Sequence, residues 1–108
     1  MIKMIIKMNE DKIIASDEYS VDRINQALDR IFSNKGMDRT DTERGIEYTG
    51  HNRPTDFAHF GKIRLGLKDQ AWFMDNARTW LYCNNDDSDN PADFNEEDLL
   101  LHYKKVVA

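Results

Sequence analysis

Seven carboxylates and no base occupy residues 86–98: Asp86, Asp87, Asp89, Asp93, Glu96, Glu97 and Asp98. Residues 1–85 carry 13 basic and 13 acidic side chains, and only Lys104 and Lys105 follow the acidic interval, so the formal net charge of −5 originates there. Gathered on one folded surface, such carboxylates would project a negative field that attracts a basic partner. A row of this kind can stand in for phosphates and compete for the Lys/Arg channel of a nucleic-acid-binding effector. The acidic balance itself argues against direct nucleic-acid binding, which depends on neutralising cations. Asp86, Asp87, Asp89 and Glu97 are the expected electrostatic contacts to such a protein partner, with Trp72 and Tyr82 as aromatic anchors.

The same interval can be aligned to a calcium loop. Asn85, Asp87 and Asp89 would give side-chain oxygens, Pro91 a carbonyl, Asp93 a direct or water-mediated ligand, and Glu96 the twelfth-position carboxylate. Three departures oppose this alternative: the first ligand is Asn, Asn90 stands where a sharp turn needs Gly, and Ala92 replaces a branched apolar residue. A solvated acidic connection is the simpler reading, with no cofactor.

Other chemistry is sparse. His51, Asp56 and His59 fall within nine residues, but two His and one Asp leave a metal short of ligands. Cys83 could pair with His102 as nucleophile and base, although a lone Cys at the end of an aromatic-rich segment more often serves as a small buried hydrophobe. As the only cysteine it excludes an intrachain disulfide. No glycine-rich phosphate cradle or nucleophile elbow is present, and the chain reads as non-catalytic.

Positioning these groups falls to elements that hydrophobic spacing predicts. Ile2, Met4, Ile6 and Met8 alternate with Lys3, Ile5 and Lys7 as a strand, and residues 12–16 read as its hairpin partner. From a Ser20 cap, Val21, Ile24, Leu28, Ile31 and Phe32 build a helical stripe that Gly36 ends. Residues 37–44 read as an exposed loop, 45–49 as a strand and 50–54 as a turn. The segment 57–68 fits either period; a helical turn near 56–59 and a strand over 61–67 follow from weighing two interior glycines against a helix. An Asp69-capped helix is expected over 70–83, and another over 96–106 with an Asn95 cap and a Phe94 to Leu99 staple. The order ββαββαα predicts an α+β fold, a small antiparallel sheet with about three helices on one face, as a single domain over residues 1–108. No apolar run approaches a membrane span, and Lys3 and Lys7 interrupt the N-terminal segment, so the expected setting is cytoplasmic.

Trp72-Phe73, Asn76, Trp80-Leu81-Tyr82, Asn85-Asp86-Asp87-Ser88 and Glu97-Asp98-Leu99-Leu100-x-His102-Tyr103, with Asp56-Phe57-Ala58-x-Phe60-Gly61 upstream, resemble a group of small acidic proteins from Firmicute mobile elements and prophages. No activity is assigned to that group. The resemblance covers about the last half of the chain and implies a context: compact acidic proteins on such elements include inhibitors of host defence, anti-CRISPR proteins among them.

Overall fold

Ile2, Met4, Ile6 and Met8 do place one face of the first strand in the core, and that strand, β1 (Ile2–Met8), lies at the centre of the sheet. The structure is a computed structural model that describes residues 1–86, 89–90 and 92–106. Along the chain follow α1 (Glu10–Ser16), α2 (Val21–Ser33), β2 (Asp38–Thr42), β3 (Gly45–Thr49), α3 (Asp56–Leu67), α4 (Ala71–Met74), β4 (Ala77–Asn84), β5 (Asn95–Asp98) and α5 (Leu99–Val106). Every strand pairing is antiparallel, in the order β2-β3-β1-β4-β5, so the fold is α+β.

The helices share one face. Ile13 of α1, Ile24, Leu28 and Phe32 of α2, Phe60, Ile63 and Leu67 of α3, Phe73 of α4 and Leu99 of α5 pack into one cluster with Met4, Tyr48 and Trp80 of the sheet. Phe32 stacks on Tyr48 with ring centroids 3.9 Å apart. The buried Tyr48 hydroxyl donates to Asp29 on α2 at 2.7 Å, and Arg39 on β2 also holds Asp29, so α2 is fastened to the sheet by polar as well as apolar contacts. α2 follows the sequence reading: Ser20 accepts from the Arg23 amide, and Gly36 turns the chain at φ 76°.

Several elements differ from expectation, each for a physical reason. Residues 12–16 belong to a helix because the Asn9 side chain accepts from the Lys12 amide and Glu10 and Asp11 occupy the favourable first turn. Residues 38–42 form an edge strand rather than a loop; it is exposed throughout, so it carries no apolar alternation. Residues 61–67 are helical. Burial of Phe60, Ile63 and Leu67 on one helical face, each worth roughly 1.5–3 kcal/mol, exceeds the glycine cost of about 1 kcal/mol apiece at Gly61 and Gly66.

The largest departure is at residues 70–83. Only one helical turn forms, Gln70 rather than Asp69 precedes it, and Asn76 closes it by donating from Nδ2 to the Trp72 carbonyl at 2.9 Å. The chain then runs as β4 between β1 and β5, with Trp80 buried on the helix side and Cys83 buried on the other. Aromatic and apolar residues on both faces suit a central strand and also mimic a helical stripe. Residues 95–98 pair with β4 instead of starting a helix, and Asp98, not Asn95, caps α5 by accepting from the Leu101 amide at 3.1 Å.

Candidate functional site

The acidic interval therefore takes in the connection that follows β4 together with β5 itself. Because side chains alternate across a strand, its carboxylates separate onto different surfaces. Glu96 lies on the sheet face opposite the helical cluster and forms a bidentate pair with Arg44, at 2.7 and 2.9 Å. That pairing holds its carboxyl below the usual range. Glu97 lies on the helix side, where Arg64 of α3 reaches it at 3.4 Å and His102 Nδ1 at 3.5 Å; Arg64 also donates to the Tyr103 hydroxyl at 2.6 Å. Asp86 accepts from the Met1 amine at 2.6 Å. Asp89 and Asp93 are exposed and have no ion-pair partner among the described residues. Asp87 lies outside the described residues.

A single continuous ridge running from residue 86 to 98 is thus not what the fold displays. The acids divide into a hairpin tip, with Asp86, Asp89 and Asp93, and a strand whose Glu96 and Glu97 are neutralised by the chain's own arginines. The calcium alternative loses its framework at the same point. Two strands flank the loop, and the Glu96 carboxylate is committed to Arg44. Asp87 and Pro91, two of the intended ligands with Asn85, Asp89, Asp93 and Glu96, lie outside the described residues. Among the described residues no group of three or more His, Cys, Asp or Glu side chains could hold a metal ion.

Asp56 has a structural occupation. It is 2% exposed and accepts from the His51 amide at 2.8 Å, the Arg53 amide at 3.1 Å and Arg53 Nε at 3.1 Å. Burial alone would raise its pKa, but the two amides and the guanidinium outweigh it and the carboxyl titrates low. Gly50 permits this approach, since a Cβ there would stand 2.6 Å from Asp56 Oδ2. Arg53 continues to the Lys35 and Gly36 carbonyls, tying the start of α3 to the end of α2. The His51 imidazole instead meets Asp38 at 3.0 Å.

Cys83 and His102 are not brought together. Cys83 is buried on the sheet face opposite the helices, 3.9 Å from Glu96, and burial followed by that carboxylate pushes its thiol up to about 11. His102 belongs to the Glu97 cluster on the other side.

The expected anchors also separate. Tyr82 lies opposite Glu97 in the β4–β5 ladder, half-buried, and burial raises its pKa. Trp72 sits elsewhere, in a groove along α2, with its indole N–H donating to Gln70 Oε1 at 3.1 Å. Sequence reasoning missed Arg44 and Arg64, whose acidic partners are 52 and 33 residues away. The one available signal was Ile5, an apolar residue on the lysine side of β1, which marks a second buried sheet surface.

Among the described residues no helix is long and apolar enough to cross a membrane. Comparison with known proteins finds no matching family model, no similar curated protein and no similar solved structure.

Proposed function

We propose that this chain is a non-catalytic protein-binding module that presents the tip of its β4–β5 hairpin to a basic surface on a partner. The mobile-element resemblance gives the setting: inhibition of a host defence effector, with carboxylates occupying cationic positions that otherwise hold nucleic-acid phosphates. The observation that supports this reading is the unequal use of the acids. Glu96 and Glu97 are held by Arg44 and Arg64, whereas Asp89 and Asp93 at the tip are exposed and have no cationic partner among the described residues. The electrostatic set accordingly exchanges Glu97 for Asp93 and keeps Asp87, Asp89 and Asp86, the last of which also meets the Met1 amine. Tyr82 supports the strand rather than the contact.

Exposed carboxylates of this kind act on encounter rate and are screened beyond about 8 Å at physiological salt. The deciding comparison replaces these four acids with Asn in one variant, the tip variant, and Glu96 and Glu97 with Gln in another. Host proteins retained by the immobilised chain at low salt should drop by at least about tenfold for the tip variant and persist for the strand variant. Equal capture by the tip variant and the native chain would dispose of the proposal.

A further inference from the structure

Two cavities of about 500 and 460 Å3 open on either side of the Trp72 indole. Ile24 and Ala27 line the first and Ile31 the second. Their spacing of three and four along α2 puts them on one helical face, so the two cavities make one groove, rising about 10 Å between Ile24 and Ile31. Ile63 and Leu67 of α3 form the far wall of the second cavity, where Gly66 leaves the space of a side chain empty.

Charge is distributed unevenly along this apolar floor. Lys35 and Lys62 stand at the end of the groove beside the C-terminus of α2, while Asp17, Glu18 and Arg23 stand at the opposite end. The side chains of Asp17, Glu18, Lys35 and Lys62 have no hydrogen-bond or ion-pair partner among the described residues. One end therefore offers two unused cations and the other a net single negative charge.

We propose that the groove receives an amphipathic helix of a partner protein, lying antiparallel to α2, with an acidic first turn against Lys35 and Lys62. Helices favour acids in the first turn and bases in the last, so the charge order preferred by the incoming helix is the order the groove complements in this direction alone. Apolar side chains at i, i+3 or i+4, and i+7 on its buried face would fill the two cavities across Trp72. Large half-buried aromatic surface is the usual source of energy at such contacts. The proposal stands apart from the hairpin tip and does not depend on it.

The test is selection of displayed helical peptides on the whole protein, with counter-selection on Ala27→Arg, which fills the groove. Ala27 is a partly exposed helical position and Arg is a good helix former, so this variant should melt like the native chain. Enriched peptides should carry the apolar spacing and an acidic first turn, and bind Ala27→Arg at least about tenfold more weakly. Exchanging the charges at the two peptide ends should cost about tenfold, and Lys35→Glu with Lys62→Glu should recover part of that loss for the exchanged peptide while weakening the original one. Because Trp80 is fully buried, a binding-induced shift in tryptophan emission should vanish in Trp72→Phe. Peptides that bind Ala27→Arg equally, show no end-charge preference, or fail to enrich would overturn the proposal, as would occupation of the groove by a second copy of the chain. The tip variant with four Asn should bind these peptides normally, which keeps the two proposals separable.

Discussion

The two faces of the sheet achieve burial by different means. On the helix side, Trp80, Tyr48, Met4 and Ile6 are covered by apolar side chains from α1, α2, α3, α4 and α5. On the other side, Ile5 is 2% exposed and Cys83 is fully buried, on the sheet face opposite that cluster. The strand register puts Lys3, Glu47 and Glu96 beside them on that face. Lys3 meets Glu47 at 3.4 Å and lies 4.2 Å from the Phe94 ring centroid, and Arg44 reaches from the β2–β3 turn to Glu96. Aliphatic stems and paired charges thus shield a small apolar strip. The same fractional burial rests on packing in one case and on half-exposed ion pairs in the other, and ion pairs of that kind contribute little individually.

Mutation of the helix face should give the largest effect. Trp80→Ala removes the ring that meets Phe73 edge-on at 4.9 Å and stacks with Tyr103 at 5.6 Å, and should cost about 3–5 kcal/mol in urea-induced unfolding. Ile5→Ala should cost about 2 kcal/mol, because the strip it vacates is bounded by side chains that can close over it. Equal losses at the two positions would mean that the charged cover is packed as rigidly as the helical one.

Asp56→Asn should fall between these, at about 3 kcal/mol, since it weakens hydrogen bonds to a charged acceptor from two amides and Arg53. The pH dependence has a definite sign. The folded carboxyl titrates below its ordinary value, so its contribution is present above the unfolded pKa and disappears as pH falls through the folded one. Acid unfolding of the native chain should be steeper than that of Asp56→Asn, measured by the urea midpoint at several pH values.

The same contrast explains what could be read in the sequence. α2 was legible because its apolar stripe faces one core and its ends are marked by Ser20 and Gly36. β1 was legible through its period of two. Residues 70–83 were not, since β4 is buried on both faces, and Trp72, Phe73, Trp80 and Leu81 can be fitted to a helix as readily as to a turn followed by a strand. β2 was hidden for the opposite reason, being exposed on both faces. The acidic interval was visible as a charge excess, but its division between tip and strand depends on Arg44 and Arg64, which only the sheet order and helix packing bring near. The groove along α2 was half-visible: its stripe and Trp72 were apparent, while the gap between α2 and α3 is a tertiary feature.

The smallest stability effect should accompany the clearest chemical one. Arg44→Ala breaks a pair in which both side chains are substantially exposed, at 52% and 40%, and solvent screening should keep its cost below about 1 kcal/mol. Arg44 is nevertheless part of the cover over Cys83, whose thiol titrates at about 11 because it is buried beside Glu96. In the native chain, alkylation of Cys83 should be slow at pH 8 and rise toward pH 11; Arg44→Ala removes a cation that lowers the thiol pKa but uncovers the sulfur, so the alkylation rate per thiolate should be severalfold faster with the melting temperature nearly unchanged. The raised thiol pKa also favours the folded state below the unfolded value and loses that contribution as pH climbs toward 11. Unchanged alkylation in Arg44→Ala would show that the strands themselves, rather than the charged side chains across them, keep water from this face of the sheet.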